Sequence, residues 1–86
     1  MPTRTVTVGS ASGLHARPAT VVAQAATAAT GTVLIGRPGQ PGVDAASILL
    51  LMSLGIGHGE QVELSSDDEA GLTAVADLVA SDLDVA

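Results

Sequence analysis

No Phe, Tyr or Trp and not one cysteine occurs in this 86-residue sequence, and that double absence restricts the fold more than any motif does. The interior has to be built from Val, Ile, Leu, Met and Ala. At this length a domain buries only about 60% of the surface that its unfolded chain exposes, so one thin core and a single domain, residues 1–86, are expected. A hydrophobic content of 47% is ordinary for a globular chain, which argues against disorder. Without cysteine there is neither a disulfide framework nor a thiolate metal site, in keeping with a reducing compartment.

Periodicity supplies the elements. The stretch TRTVTV (3–8) alternates, with Val6 and Val8 on one side, and predicts a strand with one wet face. From Ala16 to Ala29, Ala19, Val22, Ala23 and Ala26 recur at helical spacing, and Thr30-Gly31 reads as the stop. TVLI (32–35) reads as a strand, and GRPGQPG (36–42) as a turn in which Pro41 must lie at an edge or bulge. A further short strand is expected before SILLLMSLG (47–55), a helix of roughly two turns capped by Ser47 and ended by Gly55. QVELS (61–65) alternates again, with Val62 and Leu64 inward. SDDE (66–69) matches a capping box of Ser66 and Glu69, followed by a helix with Leu72, Val75, Ala76, Val79 and Leu83 on one face and Asp77 and Asp82 away from it.

The order is therefore β-α-β-β-α-β-α. Four strands are too few to sandwich themselves, and the helices are long enough to cover one face. An α+β fold is expected, an antiparallel four-stranded sheet with three helices on one side and its other face in water.

Charge is unevenly placed. Arg4, Arg17 and Arg37 all precede residue 44, and all nine carboxylates lie from Asp44 onward, for a net charge of −6. Nucleic acid is an improbable partner, because phosphate backbones need clustered Lys and Arg. The opening MPTRTVTVGS lacks the apolar core of a signal peptide, and ILLLM (48–52) is too short to span a bilayer, so a soluble, cytoplasmic protein without membrane insertion is expected.

One of the three cations stands two positions from one of the two histidines, in SGLHARPAT (12–20). If Ala16 is the first helical residue, His15 is the cap residue, and the unpaired amides of the first turn, those of Ala16 and Arg17 among them, favour an anion. Arg17 can add a charge-assisted, bidentate contact to phosphate oxygens, and Pro18 loses nothing in a first turn. A neutral imidazole is a nucleophile. Attack on phosphorus would give a phosphoimidazole whose added charge the amides and Arg17 could hold. A lone histidine at a helix cap can equally be a plain surface residue.

GLHARPA (13–19), together with DAASILLLMSLGIGHGEQVEL (44–64), resembles the HPr family, the histidine-containing phosphocarriers of the bacterial phosphoenolpyruvate-dependent sugar phosphotransferase system. The resemblance covers nearly the whole chain and implies an open-faced β-sandwich. It implies that His15 is the active histidine, phosphorylated at Nδ1 by enzyme I and donating to the A domains of sugar-specific permeases, with Arg17 beside it. It implies that Ser47 matches the serine that a dedicated kinase phosphorylates in some members, and that Ile48, Leu49 and Met52 match the apolar patch that docks partners. Such a protein is a stoichiometric carrier and a monomer, needs no cofactor or metal, and is not itself an enzyme. Family members commonly carry basic residues along the first helix and before the regulatory serine, where this chain has Gln24, Thr27 and Ala46. Electrostatic steering would consequently rest mainly on Arg17.

Two other readings stay open. One is a regulatory binding module of the same fold that signals through Ser47 or His15. The other is an ordinary interaction domain in which His15 only caps. His58, in GIGHGEQ, has no carboxylate or cysteine at metal-ligand spacing and reads as a solvated turn residue.

Overall fold

Val62 and Leu64 alternate with polar neighbours along QVELS, the pattern of a strand with one face on the core. A computed structural model of the chain, which describes residues 2–83, places this strand in the middle of the sheet. The elements are β1 (Thr3–Thr7), α1 (Ala16–Ala28), β2 (Leu34–Gly36), β3 (Val43–Asp44), α2 (Ile48–Ser53), β4 (Gln61–Ser65) and α3 (Glu69–Ala80). The sheet order is β1-β4-β2-β3, and every neighbouring pair is antiparallel. The expected element order and α+β architecture are those observed. Met1 and residues 84–86 of the expected domain lie outside the described residues.

The register sorts side chains by face. Val6 lies opposite Val62, and Leu64 is flanked by Arg4 and Ile35. Val62, Leu64 and Ile35 are fully buried beneath the helices. Thr5 pairs with Glu63 and Thr7 with Gln61 on the opposite, open face. The helices bury the stripes that their spacing foretold: Pro18, Ala19, Val22, Ala23 and Ala26 in α1, and Gly71, Leu72, Val75, Ala76 and Val79 in α3. Small residues let α1 and α3 approach closely. A Cβ added at Gly71 would lie 2.6 Å from the Cβ of Ala29.

Several boundaries differ from the sequence reading, each for a local reason. Val8 leaves the β1 ladder, yet its amide donates to the Glu60 carbonyl (2.9 Å) and its carbonyl accepts from Gly59 (3.0 Å). β2 begins at Leu34 rather than Thr32, although Val33 still accepts from Ala45 (2.8 Å). Pro41 precedes the two-residue edge strand β3 and costs the sheet no hydrogen bond. α1 ends at Ala28, with Ala29 extended (φ −68°, ψ 151°), instead of through a left-handed glycine at 31. Leu83 lies beyond the end of α3 at Ala80 and packs on the core from there.

The expected Ser66 capping box does not form. Asp68 is the cap of α3, its Oδ1 accepting from the Gly71 amide (3.1 Å), while its Oδ2 accepts from the amide (2.8 Å) and hydroxyl (2.9 Å) of Thr30. One carboxylate therefore caps α3 and ties it to the chain leaving α1. Ser66 is buried, and its hydroxyl accepts from the Asp68 amide (3.0 Å). The amide of Gly71 first, and then those donors of Thr30, hold the Asp68 carboxyl below its ordinary value of 3.8. A depressed native pKa means that the unfolded chain takes up the proton more readily. The stabilisation is thus fully present above the ordinary value and is lost as pH falls through the native one. In a series of thermal melts from pH 6 downward, the melting temperature is expected to fall once pH drops below about 4.5, and to fall less steeply in Asp68→Asn.

Candidate functional site

The segment before α1 is a tight turn tied to a second loop. The Gly13 amide donates to the Ser10 carbonyl (2.9 Å), and Gly13 sits at φ +73°, where a residue without Cβ belongs. The Leu14 amide donates to the Ile56 carbonyl (3.0 Å), and the Leu14 and Ile56 side chains are both buried. These ties fix the chain one residue before His15.

His15 itself is exposed and extended (φ −138°, ψ 152°), in the cap position of α1, and its ring makes no capping hydrogen bond. A cap of another type would use its side chain to close the helix end. Here the end is left open, with neither the Ala16 nor the Arg17 amide taken by a side-chain cap. Ala16 has φ +49°, a left-handed conformation that costs a residue with a Cβ about 1–2 kcal/mol. That strain falls on the residue that joins His15 to the helix. Pro18 is buried in the first turn, anchoring the helix start to the core.

Arg17 is exposed, two residues from His15. Among the described residues the three arginines are employed differently. Arg4 reaches the Thr73 hydroxyl (3.4 Å), Arg37 is held by Leu54, Gly55 and Glu60, and Arg17 has no hydrogen bond or ion pair. The free guanidinium and the uncapped helix end thus belong to the same turn as the exposed imidazole. Their charges and donors favour an anion there.

Ser47 is half-buried and caps α2 as expected, its Oγ accepting from the Leu50 amide (3.3 Å). The helix it starts packs against α1. Six of the seven residues from 48 to 54 are apolar, and they divide between core and solvent. Leu51 is buried, Met52 and Leu54 are half-buried against the core, and Ile48, Leu49 and Leu50 are 39%, 78% and 42% exposed. Ile48 and Leu49 therefore form an exposed apolar surface, Leu50 extends it, and Met52 contributes only part of its side chain. The exposure of Leu50 had no signal in the sequence, because an uninterrupted apolar run carries no polar residue to mark its outer side.

His58 is exposed, yet its ring is not merely solvated: Nδ1 lies 3.2 Å from the Ser10 carbonyl, on the turn that leads to His15. Ser10 is itself buried and was not singled out by the sequence. Its hydroxyl donates to the Ser81 carbonyl (3.2 Å) and accepts from the Leu83 amide (2.9 Å), joining the turn to the end of α3.

Comparisons with known proteins identify the family. The family model described as "PTS HPr component phosphorylation site" matches residues 2–81. The chain is 45% identical over 87 residues to the phosphocarrier protein HPr of Streptomyces coelicolor, covering 98% of this chain and 94% of that protein. It is 42% identical over 82 residues to the phosphocarrier protein HPr of Haloferax volcanii, covering 91% and 92%. The crystal structure of a phosphocarrier protein HPr from Bacillus anthracis superposes with a TM-score of 0.83 at 34% identity, covering 91% of this chain and 95% of that one. With a family match over most of its length, relatives above 40% identity and the same fold, the chain belongs to the HPr family of phosphocarrier proteins.

Proposed function

We propose that this protein carries a phosphoryl group on His15 between enzyme I of a phosphoenolpyruvate-dependent sugar phosphotransferase system and the A domains of sugar-specific permeases. The observation that carries the reading is the exposed His15 ring, free of any capping bond, on an open helix end beside an unpartnered Arg17. A ring-nitrogen lone pair attacks phosphorus; the new P–N bond forms as the bond to the donor group breaks, and the donor keeps that electron pair. The second ring nitrogen retains its proton. The helix amides and Arg17 hold the phosphoryl oxygens before and after transfer. Onward donation is the same exchange with an acceptor group as nucleophile, so the protein turns over as a substrate of its partners and works in the cytoplasm as a monomer.

Ile48, Leu49 and the exposed part of Met52 are the docking surface in this reading, since an exposed apolar cluster on the helix packed beside α1 is a natural contact for a partner that must reach His15. Ser47 is the regulatory site. A phosphate on its hydroxyl would sit at the start of α2, favoured by the helix end, and would set negative charge beside that apolar surface. A serine kinase and phosphorylase are the partners this implies.

The test is incubation of the intact protein with enzyme I and labelled phosphoenolpyruvate. One phosphoryl group per chain is expected, acid-labile and alkali-stable as a phosphoimidazole is, and chased onto a permease A domain when one is added. A chain that takes up no label sinks the carrier reading; one that takes it up and cannot pass it to any A domain is a regulatory module instead.

A further inference from the structure

Arg37 and Glu60 are 23 residues apart and form the one ion pair among the described residues, with Nη2 3.3 Å from Oε1. Their other bonds converge on the loop between α2 and β4. Arg37 Nη1 donates to the Leu54 carbonyl (2.7 Å) and Nη2 to the Gly55 carbonyl (3.3 Å), while Glu60 Oε2 accepts from the Gly57 amide (2.6 Å). Glu60 also donates its own amide to the Gly57 carbonyl (3.2 Å). One guanidinium therefore gathers acceptors from both ends of loop 54–60, and one carboxylate holds its middle. Between those fixed points stands Ile56, whose carbonyl accepts the amide of Leu14, the residue before His15.

We propose that Arg37 and Glu60 are positioning residues for phosphoryl transfer: their clamp on loop 54–60 sets the Ile56 carbonyl, and through the Leu14 amide it sets where the His15 backbone lies. The proposal rests on the carrier reading of His15. Both clamp side chains are substantially exposed, 38% for Arg37 and 42% for Glu60. An exposed ion pair contributes little to global stability, so the clamp acts on local order rather than on the fold as a whole. Arg37 is suited to it because a planar guanidinium spreads donors over several acceptors at once. A lysine at 37 carries its donors on a single nitrogen and does not reproduce the spread that Nη1 and Nη2 divide between them. The effect on transfer follows from how sharply in-line displacement depends on the placement of the attacking atom.

The test uses the full chain as Arg37→Ala, Arg37→Lys, Glu60→Gln and the Arg37→Ala/Glu60→Gln double variant, with two readouts. Amide hydrogen exchange is followed at Leu14 and, as a reference for the core, at Val75, with no partner present. Steady-state transfer from phosphoenolpyruvate through enzyme I is followed with this chain as the varied substrate. Exchange at Leu14 is expected to quicken about tenfold in Arg37→Ala while Val75 stays unchanged. The kcat is expected to fall about three- to tenfold with KM within about twofold. The double variant should fall no further than Arg37→Ala, because both residues act through one loop, and Arg37→Lys should not rescue it. Unchanged exchange at Leu14 in both Arg37→Ala and Glu60→Gln overturns the proposal, as does a change confined to KM or an unchanged kcat with faster exchange. If Arg37→Ala does not fold, Glu60→Gln carries both readouts. A parent protein that accepts no phosphate overturns the carrier reading, and the clamp is then judged on exchange at Leu14 alone.

Discussion

In His15→Ala, uptake of phosphate from phosphoenolpyruvate and enzyme I is expected to drop below detection, more than about 10³-fold beneath the parent rate, because the proposed nucleophile is gone. The same variant should keep its melting temperature within about 2 °C. The two expectations come from one geometric fact. The ring is exposed and closes no hydrogen bond at the helix end, so removing it leaves no buried donor or acceptor unpaired and opens no cavity. Arg17→Ala makes an informative companion. Its guanidinium holds no partner within the described chain, so the fold should again be indifferent, while loss of the charge proposed to steady phosphoryl oxygens should slow transfer by about 10²-fold without abolishing it. Label retained by His15→Ala would place the acceptor elsewhere and remove the basis of the proposed function. Arg17→Ala at the parent rate would leave the helix amides as the whole of the anion site.

Where a single element's own residues decide the outcome, the sequence was legible. The α1 stripe of Ala19, Val22, Ala23 and Ala26, the inward Val62 and Leu64 of β4, the Ser47 cap and the position of His15 before the first helical residue all follow from spacing and capping chemistry. Where distant segments decide it, the sequence was silent. Ser66 and Asp68 are both good caps by type, and the choice between them falls to Thr30, which donates twice to the Asp68 carboxylate across 38 residues of chain. Arg37 and Glu60 belong to no local pattern at all, and neither does the buried Ser10, whose partners Ser81 and Leu83 are more than seventy residues away. The left-handed Ala16 is hidden for another reason. Residue type argues against that conformation, which Ala16 adopts between the buried Leu14 on one side and the buried Pro18 on the other. The exposed His15 and Arg17 at the start of α1 could thus be located in advance, whereas the hydrogen bonds that order loop 54–60 could not.

That loop makes Gly13 a position where a single added methyl group should do severe damage to the fold. Gly13 and Gly39 have nearly the same backbone angle, φ +73° and +78°. Their surroundings differ. A Cβ at Gly39 meets nothing within 4 Å, whereas one at Gly13 would run into the Ile56 carbonyl oxygen and lie 2.7 Å from the Gly57 Cα, both of them backbone and unable to swing aside. Gly39→Ala should therefore cost only the left-handed penalty, about 1 kcal/mol, or roughly 5 °C in melting temperature for a domain of this size. Gly13→Ala carries that penalty and must also push apart the turn and the loop joined by the Leu14–Ile56 hydrogen bond, for a total of about 3 kcal/mol and a fall of roughly 15 °C. Against a total stability of about 5–10 kcal/mol for such a domain the loss is severe. Thermal melts of the two variants side by side separate the contributions, since the backbone penalty is common to both and the steric one belongs to Gly13 alone. Equal melting temperatures would mean that the turn yields freely to the loop, and that the ordering of His15 through Leu14 and Ile56 has no mechanical basis. The expected inequality would tie the stability of the fold to the same contact through which the placement of the imidazole is proposed to be set.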